Sequence, residues 1–301
     1  MKELFKQVRT NSQLFADGLS STAITRLCRE GQLLRLARNA YVETALWRQW
    51  DKKTRLLAQQ VSFIKTHENY VLSHTSAALW WEAPLLSLPE KVWVSHPSPQ
   101  VRSRPGVRVS AGRPAVCAGA SFHQGAWVTS PAQTAVDCAR SLPLPDALCI
   151  MDFFLHRQLV SPEEVKQAVE ASSGRGSRRA LRVLELMSGL AESPAETLAR
   201  YQIRQAGFLP PQEQVLIRAG WATYRVDFFW PQQGVILEVD GRIKYEGGFG
   251  RPSQVIQDEK RRQRELEKLG YRVVRVIWED VFSFPENLQA LLVQAGVPRV
   301  G

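Results

Sequence analysis

The sequence predicts a multi-domain α+β protein, and three observations carry that reading. The chain has 301 residues, enough for two or three separate cores. Amphipathic helical segments and short β-branched runs alternate along it without a repeat. The stretch GRGSRRALR over Gly174–Arg182 breaks the composition where a boundary would fall. The expected division is 1–46, a winged helix-turn-helix; 47–172, a mixed α/β middle domain; 173–189, a basic linker or helix; and 190–301, a C-terminal α/β domain.

The first segment reads as a helical unit ending in a β-wing. Ser20 is placed as an N-cap, and Ala23, Ile24 and Leu27 form an apolar stripe. Gly31 follows as a stop. The opposite face carries Thr22, Thr25, Arg26 and Arg29, small and basic groups suited to a DNA groove. The run LLRLARNAYV then supplies wing strands with Arg35 and Arg38. A solvated amphipathic helix would show the same pattern.

In the middle segment a helix is expected around 50–66, and SHTSAALWW (Ser73–Trp81) reads as a buried, N-capped helix. Strand-like pieces follow in KVWVSHP, VRVSAG and AWVTS. Three helices are expected after them, in SPAQTAVDCARSL, DALCIMDFFLHRQL and SPEEVKQAVE. Ser73 beside His74 has no GxSxG elbow, so a structural role outweighs a hydrolytic one. The arginines of GRGSRRALR suit either phosphate contact or a solvated helix start.

From Ser193 the expected order is helix, hairpin, helix, strand, helix. Ser193, Pro194 and Glu196 read as a complete capping box with Pro at the first helical position. The charged segment Asp258–Gly270 is the second helix, YRVVRVIW (Tyr271–Trp278) a sheet strand, and about 285–295 the last helix.

Composition narrows the chemistry. Net charge is +10, from 39 basic and 29 acidic side chains, which favours polyanionic partners without choosing between DNA and RNA. The four cysteines lack CxxC spacing and suit a reducing, cytoplasmic setting. No apolar run approaches the ~18 residues of a membrane span, so no membrane association is expected. All five histidines precede residue 157, which excludes HExxH and Cys/His zinc chemistry from the C-terminal third.

The most informative segment is YRVDFFWPQQGVILEVDGRIK, Tyr224–Lys244, which reads as a β-hairpin. Asp227 lies on one apolar strand, and Glu238 and Asp240 lie on the next, two residues apart and on one face. Carboxylates in such runs are costly unless paired, hydrogen-bonded or bound to a cation. Two readings follow: a site for a hard divalent cation, Mg²⁺ or Mn²⁺, or strand-end carboxylates capping turns and pairing with nearby arginines.

The order SPAE, RVDFFWP, VILEVDGRIKY, DEKRRQRELEKLGYRVVRVIWEDV resembles the Vsr-like endonuclease domains of the PD-(D/E)xK superfamily over about residues 190–297. The resemblance implies a restriction-endonuclease-like fold with a Mg²⁺ site. Asp227, Glu238 and Asp240 would hold the metal, Lys244 would supply the cation the motif normally places at Asp240, and Glu196 would join from the first helix. The first ~170 residues, through RLARNAYV, SHTSAA and VTSPAQTAVDCA, are similar to AbiEi-type antitoxins. Together these imply a DNA-binding protein with a metal-dependent endonuclease domain. The alternative is a transcriptional repressor or antitoxin, of a toxin–antitoxin or phage-defence system, with a degenerate nuclease domain. Its partners would then include a cognate toxin or a second copy of the chain.

Overall fold

The computed structural model describes residues 1–240 and 253–300, with backbone alone over 253–258. Helices and sheets are mixed throughout, and the chain divides into two compact units. The first comprises Met1–Leu142 and Val160–Leu181, the second Pro143–Leu159 and Arg182–Gly301.

The first unit opens with α1 (Lys2–Gln7), β1 (Arg9–Thr10), α2 (Asn11–Ala16) and α3 (Ser21–Arg29). The Ser20 hydroxyl accepts the Ala23 N–H, fixing the start of α3. Ile24 packs with Leu14 and Tyr41, joined by Cys28 and Leu33. Ile24 is buried, and Ala23 and Leu27 are half-buried beside it, as the expected stripe requires; Cys28 is half-buried as well. Strands β2 (Leu33–Ala37) and β3 (Ala40–Glu43) form a hairpin, and β1 adds to give the order β1-β3-β2. Asn39 takes a positive φ of 64° in the tight turn, a conformation asparagine tolerates.

Next come α4 (Thr44–Gln49), α5 (Lys52–Thr66), β4 (Val71–Leu72), α6 (His74–Trp80), β5 (Val92–Ser95) and β6 (Val107–Ser110). They are followed by α7 (Pro114–Ala118), β7 (Ser121–His123), β8 (Ala126–Val128) and α8 (Pro131–Ser141). A second sheet runs β6-β5-β4-β8-β7. Every residue of α6 is buried, which its small Ser, Thr and Ala side chains permit at close packing against α8. The Ser73 hydroxyl does not cap α6, contrary to expectation; it meets the His74 ring instead, at 3.0 Å.

Helix α9 (Leu144–His156), which the sequence places with the middle segment, folds with the second unit. Helix α10 (Pro162–Ala171) returns to the first, and the division falls within α11 (Ser177–Leu186).

The second unit then builds α12 (Pro194–Gln205), β9 (Gln212–Ala219), β10 (Ala222–Trp230) and β11 (Val235–Asp240). It continues with α13 (Ser253–Lys268), β12 (Arg272–Ile277), α14 (Trp278–Phe282) and α15 (Pro285–Ala295). The sheet order is β12-β11-β10-β9. Strand β9 was not expected from the sequence, and Trp278 starts a helix rather than ending a strand. Strands β9, β10 and β11 run antiparallel, while β11 and β12 are parallel, so the chain must cross over between them, and α13 lies on that crossover. The central position of β11 explains its continuous apolar run: Val235, Ile236 and Leu237 are fully buried.

Candidate functional site

The carboxylates of the second unit sit where the β10–β11 ladder gives way. Its pairs are Phe228 with Leu237, Phe229 with Ile236 and Trp230 with Val235. Just beyond Phe228, the Asp227 carboxylate accepts the Val239 N–H at 2.8 Å. A side chain thus satisfies a strand donor in the sheet interior. The other Asp227 oxygen receives the Gln214 amide at 3.4 Å, and the same amide reaches Glu196 Oε2 at 2.9 Å. Gln214 comes from β9 with a φ of +52°.

Glu196 lies buried at the start of α12 and only partly fulfils the expected capping box. The Ser193 hydroxyl accepts the Glu196 N–H at 3.2 Å, as expected. The glutamate does not return the bond to the Ser193 N–H. It accepts the Glu192 N–H at 2.9 Å and the Ser193 hydroxyl at 2.7 Å. Glu196 is therefore a cap and a member of the carboxylate group at once.

Glu238, on β11, is held by Arg262 of α13: Nη2 donates to Oε1 at 2.7 Å and to the Arg225 carbonyl at 2.5 Å. Asp240, half-buried at the strand end, pairs in register with Ile277 of β12. Lys244 lies outside the described residues. Burial pushes the carboxyls of Glu196, Asp227 and Glu238 up from their ordinary range. The Asp227 charge adds to that push on the other two, and Arg262 opposes it at Asp227 and Glu238.

A hard divalent cation needs several oxygen donors without prior partners. Here the oxygens of Glu196 and Asp227 receive protein N–H and O–H groups, and Glu238 holds a guanidinium. Among the described residues no group of three or more His, Cys, Asp or Glu side chains is placed to hold a metal ion. The described donors do not fit Mg²⁺ as they stand. Gln214 and Arg262 were not singled out by sequence, where nothing distinguishes them from neighbouring polar residues.

In the first unit the expected DNA-contacting residues share one region. Thr22, Thr25, Arg26 and Arg29 are exposed on α3, and Arg35 and Arg38 are exposed on and beside the hairpin. Thr25 turns its hydroxyl back onto the Ser21 carbonyl at 2.9 Å. Arg26 lies 3.8 Å from Glu30 with both side chains largely in solvent, a weak tie. Arg29 and Arg38 have no hydrogen-bond or ion-pair partner among the described residues.

A buried polar cluster also occupies the first unit. Arg113 grips Asp137 through two bonds of 2.8 and 2.9 Å, and His74 stacks on Trp93 with centroids 4.3 Å apart. His74 adopts a φ of +52°, and burial pulls its pKa down to about 4. Both Ser73 Oγ, at 3.0 Å, and Asp137 Oδ2, at 3.7 Å, face the same ring nitrogen, Nδ1. A hydrolytic triad needs its serine and carboxylate on opposite nitrogens. The Ser73–His74 pair is structural.

Residues 89–186 match the AbiEi antitoxin C-terminal domain. Two Mycobacterium tuberculosis proteins, "Uncharacterized protein MT2308" of strain CDC 1551 / Oshkosh and "Uncharacterized protein Rv2248" of strain ATCC 25618 / H37Rv, are each 34% identical to the chain over 198 residues. The matched region covers 62% of this chain and 69% of each relative. The chain belongs to the family of these two proteins. The antitoxin-like region runs from just before β5 to the end of α11 and includes Arg113 and Asp137. The crystal structure of the RV2827C protein from Mycobacterium tuberculosis aligns over 66% of this chain and 78% of that one, at 19% identity and a TM-score of 0.36. That score is too low to equate the folds. Among the described residues no helix is long and apolar enough to cross a membrane.

Proposed function

We propose that the protein is a DNA-binding regulator of antitoxin type, acting in a toxin–antitoxin or phage-defence setting. The observation that carries this is the match of residues 89–186 to the AbiEi antitoxin C-terminal domain. The DNA reader is α3 with the β2–β3 hairpin as its wing. An exposed row of Thr22, Thr25, Arg26 and Arg29 offers hydroxyls and guanidinium groups to base edges and phosphates, and Arg35 and Arg38 meet the backbone beside it. A cognate toxin is the further partner this reading implies.

Fluorescence anisotropy with a duplex DNA at several salt concentrations tests it. Arg26→Ala with Arg29→Ala should weaken binding and lower the salt slope by about two, one for each lost phosphate contact. Unchanged affinity and slope would remove α3 as the reader.

The placement of Asp227 and Glu238 on paired strands, with Glu196 sharing the Gln214 amide with Asp227, favours a second reading, a metal-dependent nuclease in the second unit. In that reading Asp227, Glu238 and Asp240 hold Mg²⁺ or Mn²⁺, and Lys244 assists. It requires Arg262 to leave Glu238. Incubation of supercoiled DNA with Mg²⁺, Mn²⁺ or EDTA, beside Asp227→Ala, decides: Asp227-dependent nicking supports cutting, and intact DNA in every lane supports the binding protein.

A further inference from the structure

We propose that Arg262 is the resident cation of the second-unit carboxylate group. It occupies the position from which a divalent ion would have to serve Asp227 and Glu238, and an uncharged side chain there would open the group to Mn²⁺. The inference rests on the antitoxin-type reading above, in which the second unit does not cut DNA.

The geometry shows a built position, not a chance surface pair. Arg262 Nη2 is shared between Glu238 Oε1, at 2.7 Å, and the Arg225 carbonyl, at 2.5 Å. Its guanidinium also lies 5.9 Å from the centre of the Tyr224 ring. The Tyr224 hydroxyl in turn donates to Glu265 at 2.6 Å, so the ring is anchored to the helix that carries Arg262. Glu238 is 17% exposed and Arg262 31%, so both charges are largely out of water. Arg262 touches Glu238 directly and favours the charged form of Asp227 from farther off, and Arg275 adds a smaller push in the same direction at Glu238. A bound Mg²⁺ or Mn²⁺ would perform the same service.

The two cations exclude each other on simple grounds. A guanidinium stays charged at any pH the protein meets, so it cannot step aside by losing its proton, as a lysine can. A divalent ion entering beside it would meet like charge in a poorly screened setting. Removal of Arg262 would leave two partly buried carboxylates without their counter-ion, a state that binds a cation or a proton.

The test uses the full chain and no DNA, so its result is independent of whether the protein binds or cuts DNA. Free Mn²⁺ is measured by electron paramagnetic resonance with wild type, Arg262→Met, Arg262→Lys, Asp227→Asn, and the double variant Asp227→Asn with Arg262→Met. Met keeps the stem over Tyr224 without the charge; Lys keeps the charge. Arg262→Met should take up Mn²⁺ at least about tenfold more tightly than wild type. Arg262→Lys should behave as wild type, and adding Asp227→Asn should abolish the gain. A folded Arg262→Met chain with no gain overturns the proposal. So does wild-type Mn²⁺ uptake that Asp227→Asn removes, a comparison that decides the matter even if Arg262→Met fails to fold.

Discussion

Acidification should affect the two units in opposite directions. In the first unit, His74 is neutral in the folded chain down to about pH 4 but accepts a proton near 6.5 when unfolded. Its contribution to stability is complete above pH 6.5 and is lost as the pH falls towards 4. At about 1.36 kcal/mol per pH unit, that displacement is on the order of 3 kcal/mol. The groups facing His74 set the balance: Asp137 favours the charged ring, while Arg113, Arg108 and Arg140 oppose it. In the second unit, burial pushes Asp152 up to about 6 despite the Arg200 guanidinium beside it, against 3.8 unfolded. The folded chain therefore takes the proton first as the pH falls. This contribution is complete below pH 3.8 and is lost as the pH rises through 6, again on the order of 3 kcal/mol. Glu196, Glu213, Asp227 and Glu238 are displaced in the same direction by burial. Hydrogen exchange read by mass spectrometry, corrected for intrinsic rates, separates the units. From pH 6.5 to 4.5 protection should fall in α6 and α8 and hold or rise in α9 and α12. Protection that is unchanged in α6 and α8, or that falls in step in α9 and α12, would refute the reasoning.

Arg113→Met should destabilise the first unit by about 3–5 kcal/mol, since it leaves Asp137 buried and unpaired, and should move the His74 titration upward; urea melts and proton NMR check the two effects. Ile24→Ala should cost about 2–4 kcal/mol in urea melts by emptying the small α3 core, and should weaken DNA binding without altering the salt slope per contact. Glu196→Gln can keep the bonds from the Glu192 N–H and the Gln214 amide on its carbonyl oxygen and can turn its NH₂ to the Ser193 hydroxyl, so the melt should shift by less than about 1 kcal/mol. Glu196→Ala should cost about 1–2 kcal/mol in the same assay, because the Glu192 N–H, the Ser193 hydroxyl and the Gln214 amide lose their acceptor.

Local signals made much of the fold legible. Ser20 before an apolar stripe gave α3, and Ser-Pro at 130–131 gave α8, because caps and first-turn prolines act within a few residues. The apolar runs on either side of Pro231–Gly234 gave β10 and β11. Strand β9 escaped because QEQVLIRA is polar at one end and mostly exposed or half-exposed, as an edge strand can be. The sequence reads Trp278 into the preceding strand because its helix start depends on Asp280, which accepts the Ile277 N–H at 3.0 Å. The site was legible only as a choice. Sequence placed Asp227 and Glu238 on adjacent strands, and left open whether a metal or an arginine answered them. The segment DEKRRQRELEK holds three arginines and two lysines, and which one reaches Glu238 depends on where α13 crosses the sheet, a tertiary fact.

The same pattern of arginine against buried carboxylate recurs in both units, and it changes what the basic composition means. Asp137 is held by Arg113, Asp152 and Glu213 by Arg200, and Glu238 by Arg262. These arginines are committed to keeping charge tolerable inside the fold, where breaking one partner costs more than the pair contributes. They add to the formal charge of +10 but cannot turn to a phosphate without leaving a carboxylate exposed to that cost. Affinity for a polyanion must come from guanidinium groups with no such duty. On the first unit Arg29 and Arg38 qualify outright, and Arg26 nearly so, its one tie being a solvent-exposed contact at 3.8 Å. The net charge alone points to polyanions; how each arginine is partnered decides which of them can serve that end, and the proposed reader, α3 with its hairpin, carries arginines that can.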